Sequence, residues 1–149
     1  MIALENAVSW SYTTNTWRQV NNNAANQVDF VIGVSEDFVT VFGTIVAGYT
    51  STNNGDYLYM AVGIGCNNTN MSATPGGAML GIINTGAQGY AVPIPPIKVQ
   101  AQARVEELPA TGRNFFALCE TVMGSQGTIA ILGANSVPSQ TGITATCMF

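Results

Sequence analysis

A chain of 149 residues, 47% of them hydrophobic, is the size of one domain and is too apolar to stay disordered. Four Lys and Arg against eight Asp and Glu make it 8% charged with a formal net charge of −4, far below the ~25% of an average soluble protein. Without a basic cluster to neutralise phosphates, nucleic-acid binding is excluded. A membrane-spanning helix needs ~20 apolar residues, and the longest apolar run, Tyr57–Cys66, is about half of that.

In chain order, Met1–Asn6 reads as a short N-terminal arm, and 7–149 as a single domain with no linker and no internal repeat. Val8, Trp10 and Tyr12 alternate with Ser9, Ser11 and Thr13, the pattern of a half-buried strand. Trp17 and Val20 lead into a polar loop, Asn21–Gln27, followed by a strand over Val28–Val34 and a hairpin-type turn at Ser35-Glu36-Asp37. Phe38–Ala47 is β-branched and aromatic on both faces, which predicts a central strand covered on both sides. Ser51–Asp56 carries Asn54-Gly55, which takes positive φ readily.

Tyr57–Gly65 is the next apolar strand, Cys66–Gly77 a long Asn-rich loop, Ala78–Ile83 a short strand and Thr85–Gly89 a turn. Pro93, Pro95 and Pro96 exclude a central strand in their stretch. Lys98–Glu107 alternates most cleanly: Val99, Ala101, Ala103 and Val105 inward, Lys98, Gln100, Gln102, Arg104 and Glu106 outward. After the loop Pro109–Asn114, Phe115–Met123 reads as a strand, Gly124–Gly127 as a tight turn and Thr128–Leu132 as its hairpin partner. Ile143, Ala145, Cys147 and Phe149 form a last apolar strand that ties the C-terminus into a sheet. No segment has a helical period. The expectation is an all-β single domain, a β-sandwich or jelly roll of eight to ten short strands.

Catalytic chemistry finds little here. The absence of histidine removes the usual general base, the Ser-His-Asp and Cys-His nucleophile systems and the commonest metal ligand. Cys66, Cys119 and Cys147 have no CxxC spacing and read as reduced thiols of a protein made in a cytoplasm. Among the carboxylates, Glu106 and Glu107 point to opposite faces of one strand, and Glu36-Asp37 sits in a turn. Asn53-Asn54-Gly55-Asp56 offers one carboxylate, a poor cage for calcium. Gly76-Gly77 and Gly86–Gly89 lack the Lys and the helix of a phosphate loop. Met1–Glu5 has no basic start or apolar core of a signal peptide. No enzyme activity, metal or cofactor is expected.

The four basic residues, Arg18, Lys98, Arg104 and Arg113, admit two readings. They are either solvated, or partners for acidic groups across a subunit interface.

Several stretches carry a family resemblance: Tyr12-Thr13-Thr14-Asn15-Thr16-Trp17 leading to Val20, Val28–Val34, the long strand at Phe38–Ala47, Gly112-Arg113-Asn114-Phe115-Phe116-Ala117-Leu118 and Gly124-Ser125-Gln126-Gly127-Thr128-Ile129. In that order they resemble the tumour-necrosis-factor/C1q-like jelly rolls of tailed-phage fibre heads and head decoration proteins. The resemblance implies a homotrimer packed around a three-fold axis. The surplus of apolar residues on two strands agrees with a large, apolar, obligate interface.

Two jobs follow as expectations. One is a trimeric decoration or cement protein on the outer surface of a phage capsid. There the arm Met1, Ile2, Ala3, Leu4, Glu5 and Asn6 would touch the major capsid protein. A first strand that starts within about seven residues of Met1, with no shaft, favours this reading. The other is the receptor-binding head of a fibre or spike. In that case the exposed loops bearing Asn21, Asn22, Asn23, Asn53, Asn54, Asp56, Asn67, Asn68 and Asn70 would bind host glycan or protein.

Overall fold

The computed structural model describes residues 1–7, 9–34, 36–50, 57–70, 78–83, 97–125, 128–132 and 140–148. Its strands are β1 (Ile2–Leu4), β2 (Ser9–Ser11), β3 (Arg18–Gln19), β4 (Gln27–Ile32), β5 (Phe38–Thr50), β6 (Tyr57–Cys66), β7 (Ala78–Ile83), β8 (Ile97–Glu107), β9 (Gly112–Ser125), β10 (Thr128–Leu132) and β11 (Gly142–Met148). A single 3-10 turn, Val20–Asn22, interrupts them. The chain is thus all-β, as the alternation pattern requires.

The strands form two antiparallel sheets. In the first, β8 and β11 flank β5, β1 extends beyond β11, and β10 continues along β5 to β2. In the second, the order is β4-β9-β6-β7, with β3 also on β9. The two sheets pack face to face through Val39, Val41 and Ile45 of β5, Met60, Val62 and Ile64 of β6, Ala101, Ala103 and Val105 of β8, and Phe116, Leu118 and Val122 of β9. Fully burying an aliphatic or aromatic side chain of this kind contributes about 1.5–3 kcal/mol. Phe30 stacks on Phe116 with ring centroids 5.3 Å apart. The sheets approach so closely at Gly43 that a Cβ there would lie 2.4 Å from Leu118 Cδ1.

Two turns predicted as hairpins are corrected. β10 pairs with β5 and β2 in the first sheet, not with β9. β6 runs along one edge of β9 as far as Ser125, and β10 finds its partners, β5 and β2, in the other sheet. The turn around Glu36-Asp37 likewise carries the chain from β4 in the second sheet to β5 in the first. It is closed by the Asp37 amide donating to the Val34 carbonyl (3.2 Å). Local turn chemistry identifies a reversal but not which sheet receives the next strand.

The C-terminal strand β11 lies between β1 and β5. The expectation for Phe38–Ala47 holds on the inner face, where Val39, Val41, Ile45 and Ala47 are buried, and on part of the outer face, where Val46 is buried while Phe42 is 49% exposed. β6 is covered on both faces by the chain itself. Met60, Val62 and Ile64 lie inward, and Ala61 on the outer face is also buried.

Candidate functional site

The outer faces of the two sheets differ. Register sets Ile2, Thr144, Phe42 and Arg104 in one row across the first sheet, with Leu4, Gly142, Thr44 and Gln102 in the next row. On the other side of the first row come Thr146, Thr40 and Glu106, then Met148 beside Phe38. Ile2 is 63% exposed and Met148 58%. The sole ion pair described on this face is Arg104 with Glu106, both exposed, and such pairs add about 0–1 kcal/mol. The Arg104 guanidinium also lies over the Phe42 ring, 5.1 Å from its centroid. The result is a half-apolar face, with Arg104 and Glu106 as its described ion pair, that exposes Ile2, Phe42 and Met148 to solvent.

On the second sheet, the chain covers the outer face along β9 and β6, while Val31 of β4 on that same face is 72% exposed. Trp17 and Phe115 pack on Ala117 and Cys119. Next to them the backbone at Asn68 presses so closely on β6 that a Cβ at Gly65 would sit 2.2 Å from the Asn68 carbonyl oxygen. That segment is tied down by Asn67, which holds φ +53°. Its Nδ2 donates to Asn114 Oδ1 (2.8 Å), its Oδ1 accepts the Phe115 amide (2.9 Å), and its own amide donates to the Phe115 carbonyl (2.8 Å).

Two buried carboxylates organise the N-terminal third. Glu120, on the inner side of β9, is fully buried. It accepts hydrogen bonds from Trp10 Nε1 (3.0 Å), Arg18 Nε (2.8 Å) and the Asn21 amide (2.9 Å), and pairs with Arg18 Nη2 at 2.8 Å. Burial pushes its carboxyl up, and the Trp10, Asn21 and Arg18 interactions only partly offset that. Arg18 stacks on Tyr12, 3.8 Å from the ring centroid, and the Tyr12 hydroxyl donates to the Thr16 carbonyl (2.7 Å).

Glu5, 1% exposed, has amide donors rather than a cation: the Ala7 backbone (2.8 Å) and the side chains of Asn26 and Asn23. Burial pushes this carboxyl up too, but the hydrogen bonds from Ala7, Asn26, Asn23 and Asn21 outweigh it and hold it below its ordinary value. Asn26 is also fully buried. Its Nδ2 donates to the Val20 carbonyl (2.8 Å), and its own carbonyl accepts the Leu118 amide (3.0 Å).

The residues singled out from the sequence fall into separate places. Met1–Asn6 is laid against β11 as β1. The Met1 amino group donates to the Ala145 carbonyl (2.7 Å), and Ile2 and Leu4 face outward. Met1 also borders a groove of about 340 Å³ at the mouth of the sandwich, with Phe30, Val31, Val39 and Cys147. Arg18 turns inward to Glu120, whereas Arg104 lies on the open face and Arg113 pairs with Asp29 (3.3 Å) at an exposed edge of the second sheet. Lys98 lies on β8, at the register position opposite Gly48.

Asn22 is exposed and Asn21 and Asn23 half-buried, but the loop Asn21–Gln27 is not exposed throughout, because Asn26 is its anchor. Asn67, Asn68 and Asn70 are exposed on the far side of β9. Asn53, Asn54 and Asp56 lie outside the described residues. Sequence reasoning missed Glu5, Glu120 and Asn26. Glu120 left a signal, since it is a lone acid inside the apolar run Ala117–Val122 of a charge-poor chain.

Among the described residues, no three His, Cys, Asp or Glu come together to hold a metal. Cys66, Cys119 and Cys147 form no disulfide with one another; burial, and then the Glu107 charge, pushes the Cys66 thiol up, away from nucleophilic reactivity. No helix of the described residues is long and apolar enough to cross a membrane. No protein-family model, curated protein or solved structure matches the chain.

Proposed function

We propose that this chain is a virion structural protein, a jelly roll that forms a homotrimer and decorates the outer surface of a phage head as a cement protein. The observation that carries the reading is the contrast between the two outer faces. The chain covers the second sheet itself around Ala117 and Cys119, with Val31 exposed at the β4 edge, and leaves Ile2, Phe42 and Met148 of the first exposed together. An apolar face of this kind, rimmed by polar residues, suits a protein partner, and a second and third copy of the chain would cover it.

The strand order supports the jelly roll. From β4 to β10 every connection except β6 to β7 passes from one sheet to the other, giving β1-β11-β5-β8 over β4-β9-β6-β7. That is the alternation of two interlocked Greek keys. On this reading the protein is not an enzyme, needs no cofactor, and is made in the host cytoplasm before it joins the virion. The arm Met1–Asn6 runs along the rim of the open face and is the contact proposed for the major capsid protein.

The test mixes purified protein with undecorated capsids and, in parallel, with host cells, after light scattering has given its mass. A trimer that binds capsids saturably and raises their thermal stability is the expected result. Binding to cells alone would replace cement by a receptor-binding head, with Asn67, Asn68 and Asn70 on its recognition side. A stable monomer at micromolar concentration sinks the trimer, and Phe42→Asp should by itself turn a trimer into monomers.

A further inference from the structure

β8 is an edge strand: among the described residues it pairs with β5 and with no other strand. Its eleven residues, Ile97–Glu107, leave a long row of backbone donors and acceptors on the side away from β5. Such an edge is a template for another strand unless something blocks it. The usual blocks are prolines and like charges; the sequence IKVQAQARVEE contains no proline, Pro95, Pro96 and Pro109 lie just outside it, and its charges stand near its two ends.

We infer that the β8 edge pairs with the β8 edge of a second copy, antiparallel about a two-fold axis at Gln102, so that the first sheet continues across the pair. Three independent features coincide in that register. It is the one in which all eleven strand residues overlap. It sets Lys98 opposite Glu106 twice, Gln100 opposite Arg104, Val99 opposite Val105 and Ala101 opposite Ala103, so that Lys98 meets an opposite charge and the central apolar residues meet each other; at the two ends Ile97 meets Glu107. It also meets Pro95 and Pro96 on one side and Pro109 on the other just beyond its ends.

A shift of two residues one way sets Lys98 opposite Arg104 and draws Pro95 and Pro96 into the ladder; a shift the other way draws in Pro109. Odd shifts put the inner face of one copy against the outer face of the other. Arg104, Glu106, Gln100 and Gln102 are exposed on the outer side, and Glu107, half-buried on the inner side, stands at the last position of the ladder. The partner is a second copy of this chain, because the self-complementarity lies in a single strand. The contact uses an edge and not the open face, and it stands or falls separately from the three-fold packing.

The test is position-specific cross-linking. Residues that face each other across an antiparallel pair have Cα atoms about 4.5–5.5 Å apart, within the roughly 4.4–6.8 Å that a disulfide spans. In Gln102→Cys each cysteine meets its own copy. In Gln100→Cys the two are four residues out of register, about 13 Å along the strand. Both positions are exposed, and the unmodified protein controls for the native thiols.

Under mild oxidation Gln102→Cys should form a covalent dimer at least about tenfold faster than Gln100→Cys, by the distance difference. Equal rates overturn the pairing. Lys98→Glu should weaken the two-fold association by about tenfold through facing like charges, and Lys98→Glu with Glu106→Lys should restore it. A double variant as weak as the single one would also overturn it, whatever the fate of the trimer.

Discussion

Glu5 and Glu120 are both buried acids, within a short reach of the same turn, and they are stabilised in opposite ways. Glu120 has a guanidinium, an indole and one backbone amide, yet its carboxyl is pushed up. Glu5 has no cation at all, only amides, yet its carboxyl is held down. The difference teaches that the balance between desolvation and the hydrogen bonds decides, not the presence of a salt bridge. Desolvation of a carboxylate in the core exceeds what one partly exposed arginine returns, while several amide dipoles aimed at a carboxylate favour its charge.

The largest effect should come from Arg18→Ala, which leaves Glu120 buried without its cation. Removing one partner of a buried pair costs about 3–5 kcal/mol, read as a fall in the urea midpoint with unchanged slope. Asn26→Ala tests the other site. It deletes the amide that bridges Glu5 and the Val20 carbonyl, at about 1–3 kcal/mol, and should cost less than Arg18→Ala. If the order is reversed, the amide-held carboxylate is the more fragile of the two. Trp10→Phe removes a single bond to Glu120 and keeps the packing, so about 1.5–3 kcal/mol, the range for a bond to a charged group, is its ceiling.

The pH dependence separates the two acids by sign. Glu5 has a folded value below the unfolded one, so its contribution is present above the unfolded carboxylate range and is lost as pH falls through the folded value. Glu120 has a folded value above the unfolded one. Its contribution is present in acid and is lost as pH rises through the raised value. Chemical denaturation across pH should therefore show Glu5→Gln flattening the acid limb and Glu120→Gln flattening the limb just above it. Two variants with the same pH slope would show that the environments do not differ.

The smallest effect on stability belongs to the open face. Phe42→Asp removes a half-exposed ring from solvent and should change monomer stability by about 1 kcal/mol or less, while its effect on association is large. A loss of several kcal/mol in the monomer would mean that Phe42 packs within the chain.

Most of the strand positions were legible in the sequence, because a half-buried strand must alternate and a turn must carry Gly, Pro, Asn or Asp. Lys98–Glu107 alternates without a break and becomes β8, and Ile143, Ala145 and Cys147 lie on β11. The pairing of those strands was not legible. Gly124–Gly127 reads as a hairpin turn on any local rule, yet β10 joins the first sheet, where its partners β5 and β2 are remote in sequence. The arm is a similar case. Nothing in Met1–Asn6 says that Glu5 goes to the interior; Asn23 and Asn26, brought back by the 3-10 turn, make that place for it.

By itself, then, the amino-acid order determined an all-β domain, poor in charge and without histidine chemistry, because composition and period-two alternation are local properties. Only the tertiary structure decided which surplus apolar strand the chain covers for itself. Tyr57–Gly65 and Phe38–Ala47 look equally apolar in sequence. Trp17 and the segment at Asn68 cover the flank of the second sheet that carries β6, whereas Phe42, with the Arg104 guanidinium over its ring, stays 49% exposed. Whether a face is closed depends on segments far away in the chain, and that is information no single strand carries.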